Sequence, residues 1–339
     1  MKARPKANES TRSDINVKNP ANSLIGTHVA LMAMLSSLFN HSKGIAMFAL
    51  CRRHCLLLAT LLGLAGTAFA EGRPNKLVIG LLPGESAPTV MRLNEPLRAY
   101  LEKRLGLPVE IMVGANYAAT GEALRFGRLD IAYLGPVTYI LQSRRTRLEP
   151  FARPSHEKVG PTFQAVIIIP KDSPAKTLAD LKGKQIAFGD PASTSGTWVP
   201  RAQLLEQAGL ASGRDYKLQV LGAHDAVALA VANKKVDAGG LSMPIYNRLL
   251  KEGKLDAEKV RVLAESPAIP EYMWTFRDGL DPAFKEEIRK AFITVNDPEA
   301  LKVFRAEAFI PCVDSDVDRV RGWIEAIRKA NPDAVPPAK

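Results

Sequence analysis

The chain has 339 residues, 46% of them hydrophobic and 24% charged, a composition that excludes disordered, collagen-like and disulfide-dense classes and fits a folded globular protein. Its formal net charge of +11 is unevenly placed: the first 70 residues hold eight Lys or Arg and two Asp or Glu, so the rest carries +5. That remainder has no dense basic run, which removes the compositional support for nucleic-acid binding and leaves only a mild attraction for small anions.

The first segment reads as a targeting signal. Arg52 and Arg53 precede an apolar run over 56–65, and Thr67 to Ala70 supply a small-x-small cleavage pattern. The apolar run is too short to span a bilayer. Residues 47–70 are therefore expected to be a signal peptide, and 1–46 an over-extended start or disordered arm; a true N-terminal arm, or a second hydrophobic anchor over 31–39, is the other reading. Cys51 and Cys55 both fall within the signal, and neither stands at a lipid-attachment point. Only Cys312 remains after cleavage, so no disulfide forms within one processed chain. The processed protein is expected in a bacterial periplasm, without a lipid anchor.

From residue 77 onward, short apolar runs alternate with helical periodicity. Strands are expected over 77–82, 109–113 and 130–134, separated by helices over 91–105 and 118–126 and followed by one over 136–145 that opens on Pro136. A continuous apolar strand over 163–169 begins a second series, with strands over 185–188, 217–221 and 236–241 and helices over 197–208 and 225–233. A strand over 261–265 returns the chain to the first series, and helices over 282–296, 298–306 and 316–330 finish it. The alternation implies an α/β architecture with largely parallel strands. Two lobes follow: 74–160 with 264–332 as the first, and 161–263 as the second, joined by two crossings that form a hinge. The groove between such lobes suits a small ligand.

The turn from Gly189 to Gly196 joins the strand over 185–188 to the next helix and holds three consecutive hydroxyls, Ser193, Thr194 and Ser195. A helix start carries unpaired N–H donors and partial positive charge, so it can hold an oxyanion without a metal. Helix capping alone explains one such hydroxyl. His224 stands at an equivalent strand-to-helix junction and is a further donor, or else a cap or an exposed histidine. Tyr117 and Tyr133 follow strands of the first lobe and are weaker candidates, since tyrosines at strand ends usually pack.

Enzyme chemistry finds little support. There is no Gly-x-Ser-x-Gly elbow, the processed chain has only His156 and His224, and neither shows metal-ligand spacing. The glycines do not form a phosphate loop. His156, within a polar stretch, reads as solvated. No catalytic residue, metal or cofactor is expected.

The segments 190–200, 222–237 and 125–136, with 266–270 as a fourth landmark, resemble the phosphate, phosphite and phosphonate-binding proteins of ABC importers, a family of type 2 periplasmic binding proteins. The likeness extends over nearly all of 76–328. It implies that Ser193, Thr194 and Ser195 contact the oxyanion, that His224 adds a contact, and that Tyr117 is a cleft aromatic of the first lobe. Lobe closure would then present the ligand to a membrane permease, the protein acting as a monomer and changing no bond. Family members that bind aminoalkylphosphonates place carboxylates near the ammonium group, where Pro244 and Tyr272 stand here, with Glu271 adjacent; Leu134 replaces an aromatic. The resemblance thus implies a small amine-free phosphorus oxyanion. An exported subunit that presents arsenate or arsenite to a sensor kinase is the alternative on the same fold.

Overall fold

The computed structural model describes residues 73–330, so the expected signal peptide, its cysteines and the segment before it lie outside the described residues. The first lobe starts with β1 (Leu77–Leu81), α1 (Ala87–Leu105), β2 (Val109–Val113), α2 (Tyr117–Arg125), β3 (Ile131–Leu134), α3 (Pro136–Ser143) and β4 (Glu149–Ser155). In α1 the buried Leu97, Leu101 and Leu105 recur every fourth residue and line one face. The helix stops where Gly106 turns left-handed, at φ 66°, and bonds back to Glu102.

A crossing that contains β5 (Thr162–Phe163) leads to β6 (Ala165–Pro170), β7 (Gln185–Gly189), α4 (Val199–Ala208), β8 (Lys217–Gly222), α5 (His224–Ala232), β9 (Ala238–Ser242), α6 (Met243–Lys251) and β10 (Val260–Glu265). All six residues of β6 are buried, the mark of a strand covered on both faces. A second crossing contains β11 (Ile269–Pro270), which pairs antiparallel with β5 and so ties the two crossings together. The chain ends with β12 (Met273–Phe276), α7 (Pro282–Ile293), α8 (Pro298–Lys302), β13 (Ala308–Ile310) and α9 (Asp318–Ala330).

The strands form a six-stranded sheet ordered β13-β4-β12-β3-β1-β2 and a five-stranded sheet ordered β10-β6-β9-β7-β8. The α/β class is the one implied by the sequence. The sheets are more mixed in direction than the alternation suggests: β2-β1-β3 and β8-β7-β9 are parallel, whereas β12 and β6 run antiparallel to their neighbours. These two strands arrive directly from a crossing and enter the sheet from its opposite end; β13 is antiparallel as well, to β4. Helix α9 packs Trp323, Ile324 and Ile327 into one apolar cluster with Trp198 and Val199 of the second lobe and Val137 and Ile140 of the first. No helix among the described residues is long and apolar enough to cross a membrane.

Candidate functional site

The turn after β7 is built by Asp190. Its carbonyl accepts the Ser193 N–H and the Thr197 hydroxyl, both at 2.8 Å, and its carboxylate accepts the Ala192 N–H at 2.7 Å. Thr194–Trp198 then form a single π-helical turn before α4, with the Trp198 N–H reaching back to the Ser193 carbonyl at 3.1 Å. The Trp198 indole donates to the Pro191 carbonyl at 2.7 Å and pins the turn from the far side. A π-turn is wider than an α-turn and is frequent where a helix start serves a ligand. The expected plain helix start near Thr197 is thus a widened turn that begins three residues earlier.

Each hydroxyl of the turn has a different task. Ser193 caps it, accepting the Gly196 N–H at 3.1 Å. Thr194 accepts the Val137 N–H of the other lobe at 3.0 Å. Ser195 is fully buried, and its Oγ has no hydrogen-bond partner within the protein.

Five helix starts meet around this point: those of α2, α3, α5, α6 and the widened turn. They are joined across the lobes. The Tyr117 N–H donates to Asp190 Oδ2 at 3.0 Å, the Thr138 hydroxyl to the Ala192 carbonyl at 3.1 Å, and the His224 N–H to the Gly84 carbonyl at 3.0 Å. The lobes are therefore closed on one another. Convergent helix starts put partial positive charge at the junction without placing a formal cation there.

His224 is buried, and burial lowers its pKa to about 4. Its Nδ1 accepts the Ser242 N–H at 3.2 Å, so the ring proton of the neutral imidazole resides on Nε2. The ring lies between two glycines. A methyl group on Gly196 would stand 2.8 Å from His224 Cε1 and 2.9 Å from Ser193 Oγ; one on Gly84 would stand 3.6 Å from His224 Cδ2 and 3.2 Å from the Tyr117 hydroxyl. Glycine at both positions keeps the donors close together.

Tyr117 and Tyr272 complete the cluster. Tyr117 is buried and Tyr272 half-buried; both phenols are kept protonated, Tyr117 well above its ordinary pKa and Tyr272 pushed up to about 12, in each case chiefly by removal from water. The Tyr272 phenol neighbours Tyr117, Ser193 and Ser195. A methyl group on Gly135 would meet Tyr272 Cζ at 2.8 Å.

The structure thus brings Ser193, Thr194, Ser195, His224 and Tyr117 to one junction, with Tyr272 as an addition that sequence reasoning treated only as a lost carboxylate. Glu271 is turned away: its carboxylate meets His156 Nε2 at 3.0 Å and the Arg305 guanidinium at 3.5 Å. His156, expected to be solvated, is half-buried and fully engaged, because its other ring nitrogen faces the Arg305 carbonyl at 2.9 Å. Tyr133 packs, with ring centroids 4.9 Å from Trp274 and 5.3 Å from Tyr272. Leu134 is a core residue.

An open cavity of about 410 Å³ lies elsewhere, at the rim of the second lobe beside Asp172, Asp180, Lys184 and Lys234. Three of its polar groups are spent locally: Lys234 pairs with Asp172, and Asp180 accepts from the Lys176 and Thr177 N–H groups. Among the described residues, no group of three or more His, Cys, Asp or Glu side chains could hold a metal ion.

Residues 79–317 match a family model described as "ABC transporter, phosphonate, periplasmic substrate-binding protein". The phosphonates-binding periplasmic protein of Escherichia coli is 30% identical over 259 residues, covering 75% of each chain. The phosphate-import protein PhnD of Mycolicibacterium smegmatis is 27% identical over 278 residues, covering 74% of this chain and 86% of that one. Among solved structures, PhnD1 from Prochlorococcus marinus in complex with methylphosphonate superposes with a TM-score of 0.68 at 22% identity, covering 76% of this chain and all of that one, a likeness of fold.

Proposed function

The chain belongs to the periplasmic substrate-binding proteins of phosphonate ABC transporters, which are transport receptors rather than enzymes, and from that premise we propose that it captures a small amine-free phosphorus oxyanion for import. Phosphite, phosphate and short alkylphosphonates are the members of that class. The observation that carries the reading is Ser195, whose buried hydroxyl lacks a partner at a junction of helix starts. Leaving such a group unpaired costs about 1–3 kcal/mol, and a bond to an anion is worth about 1.5–3 kcal/mol.

The ligand's oxygens accept from the Ser195, Ser193 and Thr194 hydroxyls, from His224 Nε2–H and from the phenols. All are neutral donors. The aromatic faces of Tyr117 and Tyr272 suit a hydrogen or methyl substituent on phosphorus better than an ammonium group, since Glu271 is committed to His156. The relatives' printed names, for phosphate import and for phosphonates, support the ligand class. Closure of the lobes presents a ligand-dependent surface to the inner-membrane permease. The crossings at 156–164 and 266–272 act as the hinge, residues 47–70 direct export without a lipid anchor, and the protein works as a monomer because one chain supplies every donor of the site.

Equilibrium binding of the processed protein to phosphite, phosphate, methylphosphonate, aminoethylphosphonate, arsenate and sulfate tests the reading. One of the first three should bind most tightly, at one per chain. Tightest binding of sulfate, arsenate or aminoethylphosphonate would overturn it.

A further inference from the structure

The cross-lobe contacts include an ion pair. Glu85 lies in the segment between β1 and α1 of the first lobe, and Arg248 on α6 of the second; the guanidinium Nη2 meets Glu85 Oε2 across 163 residues of sequence. Glu85 is 8% exposed and the Arg248 side chain 23%. The guanidinium is oriented by a second bond, Nη1 to Glu252 Oε1 at 3.0 Å, and Glu252 is held in turn by Lys254 at 2.7 Å. The adjoining residue, Gly84, receives the His224 N–H and borders the Tyr117 hydroxyl. The ion pair therefore sits one residue from the proposed cleft.

We propose that Glu85 and Arg248 form a latch that exists only when the lobes are closed and that sets how long the captured anion is retained. The inference rests on reading the cleft as an anion site. Burial raises the pKa of Glu85, and the Arg248 guanidinium opposes that rise, while Asp225 and Glu252 add to it. Removing either partner leaves the other desolvated in the closed form and solvated in the open form, so closure becomes less favourable. A latch is distinguishable from a simple electrostatic guide: removing Arg248 takes away a positive charge beside an anion cleft, and removing Glu85 takes away a negative one. Guidance predicts opposite effects from the two substitutions, and a latch predicts the same effect.

The test measures association and release of methylphosphonate, phosphite and phosphate by stopped flow for the wild type, Arg248→Met, Glu85→Ala and the exchanged pair Glu85→Arg with Arg248→Glu. Both single variants should release ligand about tenfold faster or more, with association changed much less, because the pair forms after encounter. The exchanged pair should recover part of the lost residence time. Ligand-free melting temperatures, measured alongside, should stay near the wild type. Opposite shifts in affinity for the two single variants, unchanged release, or a loss confined to association would overturn the latch. Should the wild type bind none of the three anions, the reading of the cleft fails on its own. Small-angle scattering of wild type and Arg248→Met, each with and without whichever of arsenate, sulfate or aminoethylphosphonate binds, then decides the latch: a smaller ligand-induced compaction in the variant supports it, and equal compaction overturns it.

Discussion

Ser242 donates its backbone N–H to His224 Nδ1 at 3.2 Å, and this bond fixes which ring nitrogen of the buried imidazole carries the proton. A backbone N–H can only donate, so Nδ1 accepts and Nε2 carries the hydrogen. The same burial lowers the pKa of His224 from 6.5 to about 4. The unfolded chain takes up this proton below about pH 6.5 and the folded chain does not, so the neutral ring contributes stability above pH 6.5 and loses it as pH falls toward 4. The full loss is about 3 kcal/mol. Urea denaturation at pH 7.5 and 4.5 should show wild type losing stability relative to His224→Asn by approximately that amount. A constant difference between the two would exclude a neutral buried ring.

The three hydroxyls should separate by readout. Ser193→Ala removes a cap and should cost about 1 kcal/mol of stability. Thr194→Val leaves the Val137 N–H without its acceptor in the closed form, a cost of about 1–3 kcal/mol that falls on closure. Ser195→Ala removes a hydroxyl with no internal partner and should leave stability unchanged or slightly raised. Thermal melting with and without methylphosphonate gives all three comparisons.

Gly135→Ala places a methyl group 2.8 Å from Tyr272 Cζ, and that ring is already packed against Tyr133 and Phe163 with centroids 5.3 and 5.8 Å away. Overpacking of this kind costs about 1–3 kcal/mol. The variant should bind methylphosphonate more weakly than wild type and melt at a lower temperature. In a Tyr272→Ala background the Gly135→Ala substitution should lower the melting temperature no further, which differential scanning calorimetry can check.

His156 lies between two acceptors, the Glu271 carboxylate and the Arg305 carbonyl, and only an imidazolium donates to both. Its hydrogen bond to Glu271 raises its pKa, assisted by the one to the Arg305 carbonyl. The resulting stability is complete below the ordinary histidine value near pH 6.5 and is lost as pH rises through the elevated folded value. His156→Leu should therefore be more destabilising at pH 6 than at pH 9 in urea titrations. Equal effects at both pH values would contradict a charged ring. Since Glu271 precedes Tyr272, this pair also anchors the segment that carries the phenol into the cluster.

Much of the architecture was legible because burial on both faces turns strands such as Ala165–Pro170 into apolar runs and because helices such as Ala87–Leu105 repeat leucine at helical spacing. Strand β4 was not legible, as Pro150 and Pro154 break its pattern, and its pairing is dictated by β12 and β13 from far along the chain. Helix α6 is only nine residues long and buries Tyr246 and Leu249 alone, too little periodicity to separate it from the preceding strand. In the site, the strand-to-helix position of Ser193, Thr194, Ser195 and His224 could be read from local sequence. The contacts that join them to Tyr117, Tyr272 and Val137 run between segments more than fifty residues apart, and no local pattern encodes which face of a ring meets them.

The most direct measurement is a calorimetric titration of wild type and Ser195→Ala with methylphosphonate at pH 7. The account predicts one-to-one binding by the wild type and a loss of about tenfold or more in the variant, the worth of one bond to a charged acceptor. Equal affinities in the two proteins would contradict the assignment of this turn as the oxyanion site.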